Sequence, residues 1–368
     1  MVTVYINGKF LGQATTGAQR FSMGILLALD ALLLLNNESV KLIDFTLVIP
    51  SGIKSRTPPL KQIKTIELPG LASHLWEQIT LPLYVKNSLL VNLSGSAPMF
   101  KRNQLFTIFD AAIFDFPQAY SKKFLTWYKI QFKLQSMFSL GLITISEFSR
   151  DRLCLHLGVT RDKFTILPCG IDHILKESSD ETVLNKYNLK KNNYLLAVGS
   201  KNPSKNFAAL TLAFLNMRED QSICLAVVGG ANSAVFVDSE MLENKRIIKL
   251  GRVDDPQLKA LYSNARAFVF PSLYEGFGIP PLEAMACKCP VIASNTTSIP
   301  EVCGNAVGYF DPTSLLSIQK ALRKVITDSE WRASLRKSGT ERAKMYRWNE
   351  ASVKLLSHIQ TTVKKLSS

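Results

Sequence analysis

FVFPSLYEGFGIPPLEAMACKCPVIAS (268–294) begins and ends as apolar strand, yet its middle carries Gly-Phe-Gly, Pro-Pro and two carboxylates, Glu275 and Glu283. A strand, a glycine loop, a helix opened by proline and a second strand make a βαβ unit of a parallel sheet. Pro280-Pro281 predicts the helix start and places Glu283 in the first turn. Gly276 and Gly278 let backbone amides approach a ligand closely, and a helix N-terminus with partial positive charge is a seat for phosphate. Beside such a seat Glu283 suits two hydroxyls of a ribose, and Glu275 the hydroxyls of a bound sugar. Glu283 equally suits a plain role in complementing the helix dipole.

Working outward, the same alternation runs along the chain. VTVYI (2–6), FTLVIP (45–50), LLVNLS (89–94), LFTIFD (105–110), GLITIS (141–146) and FTILPCGID (164–172) read as strands of a first half, with helical patterns near 18–35, 73–86, 121–139 and 147–157. A charged, uneven segment at 173–193 reads as a linker. The alternation restarts with YLLAVGS (194–200), ICLAVVGG (223–230), RIIKLG (246–251), ARAFVFPS (265–272), CPVIAS (289–294) and AVGYFD (306–311), and 315–366 reads as helical. The expected class is α/β, with two facing Rossmann-like, doubly wound parallel-sheet domains at 1–172 and 194–345. A C-terminal helix at 346–368 is expected to cross back to the first domain. Ligands of such sheets bind beyond the carboxyl ends of the strands, so the cleft between the domains is the expected site.

Composition narrows the partners. The 368 residues suffice for two domains, and 46% apolar residues with 9% aromatics exclude extensive disorder. A formal charge of +15 favours an anionic partner, whether nucleic acid, an acidic membrane surface or phosphorylated substrates. Six cysteines without Cys-x-x-Cys spacing and four scattered histidines indicate buried thiols in a cytosolic compartment and no metal site. The N-terminus lacks a signal-peptide pattern. MGILLALDALLLLNN (23–37), interrupted by Asp30, reads as a core helix too short to span a bilayer. In 121–141, Lys122, Lys123, Lys129 and Lys133 interleave with Phe124, Trp127, Tyr128, Phe132 and Phe138, a pattern that suits an anionic membrane surface as well as a solvated helix face.

PSLYEGFGIPPLEAMACKCPVIASNTTSIPEVCGNAVGYFDP (271–312) resembles the E-x7-E signature of the GT4 family of retaining glycosyltransferases, which have the GT-B fold. GRVDDPQLKALYSNARAFVFPS (251–272), YLLAVGSKNPSKNFAALTLAF (194–214) and TISEFSRDRLCLHLGVTRDKFTILPCGID (144–172) follow the same pattern, and TTGAQRFSMGILLAL (15–29) and HLWEQITLPLYVKNSLLVNLSGSAPM (74–99) follow it more loosely. The resemblance implies that Glu275 contacts the transferred sugar and Glu283 the ribose. Amides of Gly276, Phe277, Gly278 and Ile279 would face the phosphates and sugar. Lys205 would pair with the pyrophosphate, a role in leaving-group stabilisation that needs no metal. Arg252 and Val253 would lie against the base, and Gly17 would let the first loop reach the phosphate or acceptor side.

The chain also departs from that pattern. Phe109 stands where many members carry a histidine before Asp110, so Asp110 is left to contact sugar or acceptor, or merely to cap a turn. Gln19 replaces a second glycine. Ser204 replaces a basic residue, for which nearby Lys201 is the substitute. The resemblance implies a metal-independent retaining transferase of a bacterial surface polysaccharide such as O-antigen, capsule or exopolysaccharide. Its donor is a nucleotide-sugar, with GDP-mannose as first choice, and its acceptor is a glycan or lipid-linked oligosaccharide. The enzyme is expected in the cytoplasm, peripheral at the inner face of the membrane. A sugar-nucleotide epimerase and a catalytically silent binding subunit are the alternatives. No Gly-x-Gly-x-x-Gly follows the first strand, which disfavours a nicotinamide enzyme, and nucleic-acid binding leaves the glutamates unexplained.

Overall fold

A computed structural model of the chain describes residues 2–35, 42–200, 202–217, 221–229 and 244–367. Contacts divide it into two units: Met1–Ala111 with Trp127–Gly170 and Arg347–Ser368, and Ala112–Thr126 with Ile171–Tyr346. The first unit carries strands β1 (Val2–Asn7), β2 (Ile43–Pro50), β3 (Lys64–Leu68), β4 (Leu89–Asn92), β5 (Gln104–Thr107), β6 (Gly141–Thr144) and β7 (Phe164–Ile166). They form one parallel sheet in the order β3-β2-β1-β4-β5-β6-β7. Strand β3 was not expected from the sequence. KTIEL alternates charge with apolar residues, and its mixed exposure is that of an edge strand with one flank open to water.

Helix Gly17–Leu35 covers this sheet. It matches the expected 18–35 to within one residue, and by length and composition it could cross a membrane. Phe21, Ile25, Leu26 and Leu29 are nonetheless buried, which makes it a core helix. Asp30 does not break it, because its buried carboxylate accepts the backbone amides of Lys61, Gln62 and Ile63 at 2.8 Å each. Three such bonds replace the hydration the charge loses. Helix Trp348–Ser367 packs along this helix. A Cβ at Gly24 would lie 2.3 Å from the Trp348 ring, so the absence of a side chain there sets the approach of the two helices.

The second unit carries β8 (Tyr194–Val198), β9 (Cys224–Val228), β10 (Ile247–Gly251), β11 (Ala267–Phe270), β12 (Val291–Ser294) and β13 (Gly308–Phe310), again all parallel, in the order β10-β9-β8-β11-β12-β13. Its core packs Leu195, Leu225, Val269 and Ile292 of the strands against Leu210, Phe214, Leu322 and Val325 of helices Phe207–Leu215 and Leu315–Thr327. Residues 173–193 include helices Asp172–Lys176 and Thr182–Lys186, with Ile174, Val183 and Leu184 buried.

Candidate active site

The strand order of the second sheet reverses between β8 and β11: the chain leaves β8 toward β9 on one side and leaves β11 toward β12 on the other. Loops at such a switch point diverge and leave a crevice at the carboxyl ends of the strands. Lys205 and Glu275 stand there, one on each loop. Asn202 caps the short turn Pro203–Lys205 by accepting the Ser204 amide at 2.9 Å, and the Leu273 amide donates to the Ser204 carbonyl at 2.7 Å, tying the loops together. Across that tie Lys205 Nζ meets Glu275 Oε1 at 2.5 Å. The Glu275 backbone is held on both sides: its amide donates to Thr297 Oγ1 at 3.2 Å, and its carbonyl accepts Ser298 Oγ at 2.9 Å.

The loop ends at Gly278, which precedes helix Ile279–Ala286 with φ +99°, a left-handed conformation that favours glycine. A Cβ there would also lie 2.7 Å from Ile299 Cδ1. The helix begins at Ile279 rather than at Pro280, so Glu283 is its fifth residue and lies beyond the first turn. That corrects the first-turn placement and weakens a pure dipole role, since the dipole effect fades within the first turn. Glu283 is 4% exposed. His173 Nε2 lies 2.6 Å from its Oε1, and Tyr262 OH donates to its Oε2 at 3.2 Å. Three helices, Asp172–Lys176, Asp255–Asn264 and Ile279–Ala286, therefore aim one carboxylate.

Among the other expected residues, Gly276 and Phe277 lie in the same loop, both buried. The Phe277 ring stacks edge-on against Tyr346 at 5.6 Å, leaving its backbone as the part that can face a ligand. Arg252 and Val253 follow β10 at the same end of the sheet, on its outermost strand. Lys201 lies outside the described residues. Gly17 and Asp110 belong to the first unit. A Cβ at Gly17 would meet nothing within 4 Å, so no local crowding demands glycine there. Phe109 packs edge-on to Phe21 at 5.3 Å, and Phe21 in turn to Trp348 at 6.0 Å. An apolar cluster thus occupies the place of the expected histidine. Gln19 accepts from Thr16 and donates to Gln13 Oε1 at 2.6 Å, which closes the exposed loop after β1 on itself.

Sequence reasoning missed His173, and also a buried polar cluster at the switch point of the first sheet, between β1 and β4. Asn7 at the end of β1 donates to Asn92 Oδ1 at the end of β4 (3.0 Å) and to Glu77 Oε1 (2.8 Å). Lys9 Nζ donates to Glu77 Oε2 at 2.8 Å and lies 3.3 Å from His74 Nδ1, while Ser96 Oγ reaches Glu77 Oε1 at 2.8 Å. A π-helical turn, Trp76–Thr80, presents Glu77 inward. Burial, and then the Lys9 ammonium, hold the His74 imidazole below its ordinary pKa.

Two Rossmann-like units, each with polar side chains gathered at a strand-order reversal, give each sheet a ligand crevice of the doubly wound kind, and the pair of units is the architecture of the GT-B fold. A family model described as Glycosyl transferases group 1 matches residues 179–342. Over 261 residues the chain is 34% identical to the O-antigen chain mannosyltransferase B of Escherichia coli, covering 68% of each. It is 26% identical to the O-antigen chain mannosyltransferase RfbU of Salmonella typhimurium, covering 87% of this chain and 90% of that one. The crystal structure of Anabaena Alr3699/HepE in complex with UDP-glucose superposes with a TM-score of 0.70 at 12% identity, covering 97% of this chain and all of that one. The chain belongs to the group 1 glycosyl transferases, and it is a glycosyltransferase of GT-B fold.

Proposed function

We propose that the protein is a retaining mannosyltransferase of O-antigen synthesis, moving mannose from GDP-mannose to a lipid-linked glycan. The observation that carries this reading is the Lys205–Glu275 pair at the β8/β11 switch point, where a diphosphate and its sugar would meet a cation and an acid together. The names of the two relatives support mannose and O-antigen, and the ligand of the structural neighbour supports a nucleotide-sugar. Lys205 draws charge off the leaving diphosphate, the amides of 276–279 bind its oxygens, Glu275 orients the sugar and Glu283 accepts the ribose hydroxyls. His173 and Tyr262 set the direction of Glu283.

Transfer is front-side. The acceptor oxygen bonds to the anomeric carbon as the bond to the leaving phosphate oxygen breaks, and that phosphate takes the acceptor proton. Lysine charge in place of a divalent ion makes the reaction metal-independent, so activity should survive chelation by EDTA. The first unit carries the acceptor, with Gly17 and Asp110 on its side. Incubation with GDP-mannose and a polyprenyl-linked acceptor tests the assignment: mannosylated product that disappears with Glu275→Ala is expected, and turnover of another donor alone would replace it.

Peripheral attachment to an anionic membrane belongs to the same reading. On helix Lys122–Phe138, Trp127, Ile130 and Met137 are exposed beside exposed Lys129 and Lys133. Such a face places aromatic and aliphatic groups at the headgroup boundary, with ammonium groups against lipid phosphates. Flotation with vesicles should be salt-sensitive, and indifference to lipid charge would remove the membrane from the proposal.

A further inference from the structure

The sequence points to helix Lys122–Phe138 for membrane contact, but a second surface of the first unit is built more specifically. A cavity of about 410 Å³ is lined by Lys86, Asn87, Lys101, Arg102 and Asn103, with Phe100 at its rim. Its walls are tied to one another. Lys101 Nζ donates to the Lys86 carbonyl at 2.6 Å and Asn103 Nδ2 to the Asn87 carbonyl at 2.7 Å. Gln78 donates to the Ala97 carbonyl and accepts the Met99 amide, both at 2.9 Å. No acidic residue occurs between Glu77 and Asp110 in the sequence, and Glu77 is itself buried against Lys9. Three basic residues therefore line the cavity without a carboxylate from this stretch, and the Arg102 guanidinium also lies 5.8 Å from the centre of the Phe138 ring. Burial draws the Lys101 ammonium down to a pKa of about 8, a penalty that an anion in the cavity would relieve. Lys86 holds φ +44°, a backbone conformation that a side-chain-bearing residue keeps only when its surroundings impose it.

Exposed apolar groups lie on the same segments that line this cavity. Phe100 is 84% exposed, and Leu75, Ile79 and Leu83 form an exposed row at four-residue spacing on the helical run that supplies Gln78 and Pro82 to the cavity. The π turn at Trp76–Thr80 keeps that spacing on one face, since its turn is wider than that of an α-helix. An exposed aromatic and an aliphatic row beside a cationic cavity complement a lipid phosphate lying at the apolar boundary of a bilayer. A soluble phosphate would leave the apolar row without a role.

We infer that this cavity seats the phosphate of an anionic lipid, with Phe100 and the Leu75–Ile79–Leu83 row entering the acyl layer; this rests on the peripheral-membrane reading above. Flotation of the full chain with phosphatidylcholine vesicles, with and without phosphatidylglycerol, tests it at constant ionic strength. Wild type should float better with phosphatidylglycerol. Arg102→Gln and Lys101→Gln should each lower partitioning about fivefold, the worth of one cation near a charged membrane surface. Phe100→Ser should lower it about tenfold or more. Phe100 and Arg102 are exposed, so these two variants should melt like wild type and decide the matter even where Lys101→Gln perturbs the loop. Wild-type flotation unchanged in the three variants, but lost with Lys129→Gln/Lys133→Gln, overturns the cavity and keeps the membrane reading. Equal flotation on both vesicles overturns the anionic headgroup, and no flotation at all overturns both.

Discussion

Neutralising Glu275 and neutralising Lys205 should move nucleotide diphosphate affinity in opposite directions. In the ligand-free chain the two pair at 2.5 Å with side chains 12% and 20% exposed, respectively. At an effective dielectric of about 40–80 the attraction at that separation is about 2–3 kcal/mol. Ordering both side chains takes back about 1 kcal/mol, leaving about 1–2 kcal/mol. On the proposed reading, a diphosphate must draw Lys205 away from Glu275 or share it. Glu275→Gln removes the competitor and one negative charge, so diphosphate binding should tighten about five- to thirtyfold, at 1.4 kcal/mol per decade. Lys205→Gln removes charge-assisted bonds of about 1.5–3 kcal/mol, so binding should weaken about ten- to a hundredfold. Both variants should lose sugar transfer. Calorimetric titration with GDP, UDP and dTDP measures the affinities and identifies the base in one series. If the two substitutions weaken binding alike, or neither alters it, Lys205 does not hold the diphosphate and the reading of the site is wrong.

Other outcomes follow from single contacts. His173→Ala removes a 2.6 Å partner of a carboxylate that is 4% exposed, and should cost about 1.5–3 kcal/mol of stability in thermal melting. The same variant should raise donor KM about tenfold with kcat little changed, and His173→Gln should recover part of the KM, which loss of packing alone would not allow. Gly278→Ala combines a φ of +99° with a 2.7 Å clash on Ile299, so it should destabilise by about 1–3 kcal/mol and weaken nucleotide binding, measured by melting with and without diphosphate. Burial, and then Lys365, hold the His358 imidazole below its ordinary pKa, so the folded state binds fewer protons than the unfolded chain. Its contribution to stability is complete above a pH of about 6.5 and is lost as pH falls from there toward the depressed folded value. His74 shifts the same way, and His74→Gln/His358→Gln should flatten the decline in melting temperature between pH 7 and 5.5.

The sequence carried those parts of the fold that local chemistry decides. Apolar runs bounded by glycine and proline marked the strands that pair on both sides, and Gly278 with two prolines marked the helix that carries Glu283. Strand β3 escaped because an edge strand needs only one apolar face, and KTIEL carries charge where a central strand would be apolar. The first-turn placement of Glu283 failed by one residue, since Ile279 already has helical geometry and proline tolerates the first two positions alike. His173 was invisible for a different reason. It lies 110 positions from Glu283, in a charged stretch whose pattern suggested a linker, and only the packing of three helices brings the two side chains together. Lys9 and Glu77 are 68 positions apart and meet for the same reason. Periodicity reports which face of an element is buried, but it is silent on which polar groups from distant elements share that burial.

The two glutamates of the opening stretch are held in different ways, and the difference bears on what each can do. A site for a diphosphate that contains two carboxylates needs both of them held by partners: the Lys205 ammonium pairs with Glu275, and Glu283 is hydrogen-bonded by the Tyr262 hydroxyl and the His173 ring. The partners of Glu283 sit on helices of the unit's own body, and neither is a group that the diphosphate would claim. On the proposed reading, ribose hydroxyls would meet a carboxylate whose direction is already set. On the same reading the partner of Glu275 is also the cation that the diphosphate would meet, so donor arrival would redistribute that pair. Under the proposal Glu283 is thus a fixed fitting and Glu275 a movable one. Only at Glu275 should removal of the acid improve binding of a nucleotide that carries no sugar.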